Sequence, residues 1–170
     1  DFLDAVDETP PAANAAFLVG HSTLRLGAMS DVDRPANAGE IDRMAKAVEE
    51  AMQSGATGFS TGLIYAPNKA ATTDEIVALA EVAGDKGGIY VTHMRNEGAE
   101  IDKSLDETFE IGQRADLPVV VSHHKCAGKE NHGHSVETLA RFDSAREVQN
   151  VGFDVYPCAA GSTVILVDMV

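Results

Sequence analysis

Residues 117–125, "LPVVVSHHK", are an apolar, β-branched run that ends in two histidines and a lysine. Parallel strands that are buried on both faces have continuous apolar runs of this kind. Four other runs share the character: "AAFLVGH" at 15–21, "TGFSTGL" at 57–63, "GIYVTHM" at 88–94 and "VGFDVYP" at 151–157. The sequence therefore predicts five buried strands.

Helical patterns separate these runs. Apolar residues recur at helical spacing within segments 37–56, 72–88, 100–118 and 135–153. Gly55 provides a stop for the first of these helices, and Thr72 or Thr73 provides a cap for the second. Alternation of strand and helix predicts right-handed βα units and a parallel sheet.

Five βα units fit either an open, doubly wound sheet or part of a closed eight-stranded barrel, and periodicity does not separate the two. A barrel takes about 250 residues, so the barrel interpretation makes residues 1–170 an incomplete segment of one domain. Polar side chains favour it, because His21, His93, His123 and Tyr156 fall at the carboxyl ends of their strands, where barrel enzymes carry out their chemistry. We therefore predict an α/β fold, a partial (β/α)8 TIM-like barrel of about five parallel units.

Composition narrows the possible partners. The formal net charge is −14, from 13 basic and 27 acidic residues, which argues against nucleic acids and anionic membranes. No apolar run approaches the length of a membrane span, and no signal peptide is visible. The two cysteines, Cys126 and Cys158, do not make a disulfide framework, so we expect a cytoplasmic protein with a small-molecule substrate.

His93 and His123 occupy equivalent positions in consecutive βα units. A single histidine after an apolar run is more often a hydrogen-bonded core residue, but two at one rim can meet the same ion. Imidazole suits zinc. His124 is expected to face away from His123, packed between strand and helix, because successive strand residues alternate faces.

Other polar residues leave alternatives open. His21 could face the site, although structural packing is favoured, and His132 and His134 are expected in a solvated or substrate-covering loop. Arg95 and Glu97 follow the strand that ends in His93. They could orient His93 by contacting its side chain without binding the metal, or they could form an ordinary salt bridge at the rim.

Four motifs in order carry a family resemblance: "GFSTGLIYAP" at 58–67, "YVTHMRNE" at 90–97, "VVVSHHK" at 119–125 and "DVYPCAAGST" at 154–163. Together they resemble the N-acyl-D-amino-acid deacylases, or D-aminoacylases, of the amidohydrolase superfamily. The resemblance covers nearly the whole chain. It implies a zinc-dependent barrel hydrolase that cleaves the amide bond of N-acylated D-amino acids.

The resemblance also assigns roles to individual residues. It implies that His93 and His123 bind zinc, that Lys125 and Tyr156 bind the substrate carboxylate, and that Ser162 assists them. These roles are chemically reasonable, because a carboxylate in a partly desolvated site needs a cation and directional hydroxyl donors. Metal-activated water would be the nucleophile.

One more residue matches the family, and the family's other zinc ligands have no match in this chain. Tyr65, in "GLIY", is similar to a tyrosine that lines the pocket for the substrate side chain. The family's remaining zinc ligands are an HxH pair, a bridging cysteine and an aspartate that is also the general base, and none is present; Cys126 and Cys158 do not match the cysteine position. We therefore expect no catalytic base in this segment, the remainder of its own barrel as a partner, and no deacylase activity from the segment alone.

Two rival functions remain. One keeps the barrel and the metal but changes the substrate to a cyclic amide, as in hydantoinases and dihydroorotases. The other is a noncatalytic barrel fragment that retains ligand residues. Lys125 together with Tyr156 favours a substrate with a free carboxylate over a cyclic amide.

Overall fold

A computed structural model describes residues 2–161, with residue 3 described by its backbone only. The five strands fall where the apolar runs predict them: β1 Leu18–Gly20, β2 Gly58–Gly62, β3 Ile89–His93, β4 Val119–Val121 and β5 Val151–Phe153. The seven helices of this part of the chain are α1 Phe2–Glu8, α2 His21–Ala28, α3 Ala38–Gln53, α4 Ala66–Lys69, α5 Thr73–Asp85, α6 Ile101–Arg114 and α7 Ser135–Arg146, and a 3₁₀ turn spans Lys129–Asn131.

Strand order settles the choice between the two architectures. The five strands lie in the order β1-β2-β3-β4-β5, and every neighbouring pair is parallel. A doubly wound sheet reverses its order at a switch point, whereas a barrel adds each strand beside the previous one. The fold is therefore a partial TIM-like barrel, as predicted.

The two faces of the sheet have different surroundings. Phe59 in β2, Tyr90 in β3, and Val119 and Val121 in β4 point into the helix layer and are almost fully buried. The residues between them, such as Val91, point to the opposite face, which would be the barrel interior. The core lies between sheet and helices; its largest buried side chains include Met44, Leu63, Ile76, Leu79, Met94, Ile101, Leu105, Ile111 and Phe142.

Local signals fix where the long helices begin and end. Asn37 caps α3 through a capping box, in which its side chain accepts from the backbone N–H of Glu40 and the Glu40 carboxylate accepts from that of Asn37. Thr72 caps α5, one of the two predicted caps. Gly55, with φ of 107°, follows α3 in a conformation that favours glycine.

Helix α2 was not predicted, because its buried face is polar. His21 and Arg25, both buried, each donate to the buried carboxylate of Glu75 at the start of α5. Arg25 also donates to the carbonyl oxygens of Val32 and Arg34. His21 thus has the packing role that was favoured for it, and this ion cluster joins α2 to α5.

A search of residues 2–161 finds no helix that is long and apolar enough to cross a membrane.

Candidate metal and substrate site

His93 and His123 meet at the carboxyl edge of the sheet. Nδ1 of His93 lies 2.9 Å from Nε2 of His123, and the ring centroids are 4.5 Å apart. The distance follows from the register, because β3 and β4 pair in parallel and end at the same edge. Residues 30 positions apart in sequence therefore present their ring nitrogens to one point.

His93 reaches this point by regular strand geometry. It ends β3 on the same face as Val91, while Thr92 and Met94 point into the helix layer. Burial lowers the pKa of His93 below its ordinary value, although Glu97 opposes the effect. A neutral imidazole has a free lone pair at neutral pH, which is the form that binds metals.

His123 reaches the meeting point of the two rings by a break in strand geometry. Alternation would place residue 123 on the helix side with Val119 and Val121, but its φ is 42°, in the left-handed region. The turn directs His123 to the interior and His124 to the helix layer. There Nε2 of His124 lies 3.0 Å from Oγ1 of Thr138, which confirms that His124 faces away.

Glu97 connects the two halves of the site. One carboxylate oxygen accepts from the Lys125 ammonium at 2.6 Å, and the other lies 3.1 Å from Nδ1 of His123. Nε2 of His93 is 3.7 Å from the same carboxylate. The Glu97 side chain is 10% exposed, so these contacts are partly shielded from water. From the sequence, Glu97 was expected only to orient His93 or to form a salt bridge. Its position four residues after His93 was the signal that it could reach the metal site.

A cavity of about 480 Å³ opens beside the two histidines, within the range of small-molecule sites. It is lined by Tyr65, His93, Glu97, His123, Lys125 and Tyr156, among others. The Tyr65 ring lies 5.0 Å from that of His93, and the Lys125 ammonium lies 5.6 Å from the centre of the Tyr156 ring. The structure therefore brings together five of the six residues that the resemblance assigned.

The donor set fits a zinc-type ion. Within residues 2–161, the ligand atoms of His93, Glu97 and His123 all lie within 4.8 Å of one another. Two nitrogens that share a tetrahedral zinc ion lie about 3.4 Å apart, so the 2.9 Å between Nδ1 of His93 and Nε2 of His123 would have to lengthen by about 0.5 Å for both to bind one ion. A carboxylate behind a ligating imidazole is the usual way to fix its orientation, and Glu97 has this position behind His123.

Other candidate residues lie elsewhere. Arg95 donates to Glu107 and to the carbonyl oxygens of Lys69 and Ala71, the salt bridge that was the alternative for it, and it therefore holds α4 to α6. His134 lies 3.0 Å from Asp102, outside the cavity. Ser162 lies outside the described residues.

The sequence of the chain is similar to those of several known proteins. No protein-family model matches it. A D-aminoacylase of Alcaligenes xylosoxydans xylosoxydans is 51% identical over all 170 residues, which are 35% of its length. An N-acyl-D-aspartate deacylase of the same organism is 44% identical over 99% of this chain and 34% of its own length.

Solved structures agree with these sequence matches. A crystal structure of D-aminoacylase, described as defining a novel subset of amidohydrolases, matches 95% of this chain with a TM-score of 0.93 at 49% identity. The chain belongs to the D-aminoacylase family. It spans about a third of the length of the D-aminoacylases it matches.

A further family structure contains ligands. The N-acyl-D-glutamate deacylase of Bordetella bronchiseptica, solved with zinc and a phosphonate inhibitor that mimics the tetrahedral intermediate, matches 92% of this chain and 33% of its own. Its TM-score is 0.89, at 40% identity.

Proposed function

We propose that residues 1–170 are a segment of the catalytic barrel of a zinc-dependent hydrolase that cleaves the amide bond of N-acyl-D-amino acids, releasing a D-amino acid and a carboxylate. The observation that carries the proposal is the convergence of the His93 and His123 ring nitrogens beside a cavity that also contains Lys125 and Tyr156. The names of the family members supply the substrate class.

His93 and His123 would hold the ion, with Glu97 behind His123. Bound zinc supplies Lewis acidity, which polarises a carbonyl group and lowers the pKa of water. The Lys125 ammonium and the Tyr156 hydroxyl, which both line the cavity, would bind the α-carboxylate of the substrate, and Tyr65 would form the wall next to His93. Ser162 is proposed to assist the carboxylate.

The state of Lys125 fits a carboxylate substrate. Its ammonium is held by Glu97 at 2.6 Å, and an ammonium has three donors, so a second carboxylate can join without displacing the first. In a hydantoin the carbon that forms the α-carboxylate of an acyl amino acid is part of the ring, so no anion is left to use this donor. The hydantoinase-like alternative therefore has no support from the cavity lining.

We infer the cellular location and the partners from the cysteines and the net charge. Both Cys126 and Cys158 are free thiols, which supports a reducing, cytoplasmic location. The net charge of −14 supports a partner list without nucleic acid or anionic membranes. The remainder of the protein's own barrel would supply the missing ligands and the general base.

The experiment uses the full-length protein that contains this chain. His93→Ala and His123→Ala should each lower zinc content, measured by mass spectrometry, and should lower the release of D-amino acids from N-acetyl-D-amino acids by at least about 100-fold, because a ligand is lost. His132→Ala is the matched control, since His132 is exposed in the loop after β4. Zinc-loaded protein without D-amino-acid release, or equal losses in the control, would contradict the proposal; metal in neither the full-length protein nor the segment would favour the noncatalytic fragment.

A further inference from the structure

His123 and His124 are adjacent and chemically identical, yet only one reaches the site. By strand alternation His124 would face the interior with Ser122, and His123 would face the helices with Val121. The left-handed φ of His123 reverses this choice. Whatever holds residue 123 in that conformation therefore selects the ligand.

Asp154, the first residue after β5, contacts this turn in three ways. Its carboxylate accepts a hydrogen bond from the backbone N–H of His123 at 2.6 Å. Its carbonyl oxygen accepts from the backbone N–H of His124 at 2.8 Å, and its own N–H donates to the carbonyl of Val121 at 3.1 Å. One residue thus binds the main chain before, at and after the reversal.

The Asp154 N–H bond to Val121 continues the parallel ladder, but the Asp154 carbonyl accepts from His124, one residue beyond the His123 N–H that regular pairing would use. Neither backbone contact requires a particular side chain. The carboxylate contact is different, because it satisfies the N–H that turns away from the ladder at a left-handed residue. A charged acceptor makes this one of the stronger kinds of hydrogen bond. Two residues later, Tyr156 lines the cavity, so the end of β5 contributes to both halves of the site.

We propose that the Asp154 carboxylate is a positioning residue that holds His123 in its left-handed conformation, and thereby makes His123 rather than His124 the ring that meets His93. This inference rests on the proposed metal site for its consequence, but its geometric core does not require a metal. Asp154 itself has no contact with the substrate cavity in this role; it acts through the main chain of His123.

The first test is structural and uses metal-free, full-length protein. In Asp154→Ala, a crystal structure should show residue 123 with a negative φ and the His93 Nδ1 to His123 Nε2 distance lengthened beyond hydrogen-bonding range. Asp154→Asn keeps a side-chain oxygen that can accept the same hydrogen bond and should preserve both. An unchanged turn in Asp154→Ala would overturn the inference, whether or not the protein binds zinc.

The second test measures metal affinity by competition with a chromophoric chelator. Asp154→Ala should weaken zinc binding about 10- to 100-fold, as other supports of ligating residues do, and Asp154→Asn should stay within about threefold of the wild type. Asp116→Ala is the matched control, because Asp116 is exposed and is the other non-glycine residue with positive φ among residues 2–161, at 47°. It should lower stability without changing zinc affinity.

The outcomes separate the two proposals. Wild-type protein that binds no zinc defeats the proposed function, while the crystallographic comparison still decides the role of Asp154. Wild-type protein that binds zinc, with equal affinity in Asp154→Ala, overturns the positioning role alone. Equal losses in the Ala and Asn variants would also overturn it, since they would point to the charge rather than to the hydrogen bond.

Discussion

At the scale of single residues, the proposed function gives the charge of Lys125 the task of distinguishing an acyl amino acid from other amides. In the full-length protein, Lys125→Met should raise the KM for N-acetyl-D-amino acids by about 10- to 100-fold, because a hydrogen bond to a charged group contributes about 1.5–3 kcal/mol. The effect on kcat should be smaller. Steady-state kinetics over a wide substrate range would measure both constants.

Lys129 offers the matched control for this experiment. It is exposed in the loop after β4 and begins the 3₁₀ turn, so Lys129→Met removes the same charge without entering the cavity. A KM unchanged by Lys125→Met, or raised equally by both variants, would refute the assignment of Lys125 to the carboxylate.

The same scale shows where simple pattern rules fail. The sequence correctly predicted that His123 and His124 face opposite ways, since neighbouring strand residues do so. Strict alternation from Val121, however, would have assigned the wrong histidine to the interior. The direction depends on one φ angle at His123, and a local pattern of apolar residues carries no signal for that angle.

At the scale of secondary structure, the contact between β2 and β3 depends on a glycine. A Cβ at Gly58 would lie 2.1 Å from the carbonyl oxygen of Ile89, its register partner. Gly58→Ala must therefore displace backbone, and we expect the free energy of unfolding to fall by about 1–3 kcal/mol, as for other overpacked sites. Urea denaturation of the full-length protein, followed by circular dichroism, would measure it.

Gly27, exposed in α2, is the control for that substitution. A Cβ there would meet nothing within 4 Å, so Gly27→Ala should not lower the unfolding midpoint. A Gly58→Ala variant as stable as Gly27→Ala would show that the β2–β3 contact adjusts without cost, contrary to the expectation.

The helices show which elements can be predicted from a sequence. Helices α3 and α5 were predicted within a few residues because apolar stripes, caps and a terminal glycine all agree. Helix α2 was missed because its buried face carries His21 and Arg25, which become suitable core residues only when the Glu75 carboxylate accepts hydrogen bonds from both. That partner lies 54 residues from His21 in sequence and becomes a neighbour only in the folded chain.

At the scale of the whole molecule, the same buried cluster predicts how stability depends on pH. Burial lowers the pKa of His21 below its ordinary 6.5, although the hydrogen bond to Glu75 opposes this. Between the folded-state pKa and about 6.5, the unfolded chain binds more protons than the folded one, so the free energy of unfolding falls as the pH decreases through that window. Above about pH 7 this contribution to stability is fully present.

A variant isolates the contribution of His21. His21→Gln should lose stability at every pH but should show a flatter dependence between about pH 5 and pH 7.5 than the wild type. His132→Gln, at an exposed position, should keep the wild-type slope. Urea unfolding at a series of pH values would measure both, and parallel curves for wild type and His21→Gln would exclude His21 as the titrating group.

The five strands, the four longer helices between them and the pairing of His93 with His123 could be predicted from the sequence alone, because they follow from apolar periodicity and from the rule that parallel strands end at one edge. The sequence motifs also identified the family. The barrel order of the strands, the link that Glu97 makes between Lys125 and His123, and the contact of Asp154 with the turn at His123 became known only from the folded chain. These features depend on contacts between residues about 25 to 30 positions apart, or on a single backbone angle, and such contacts form only when the chain has folded.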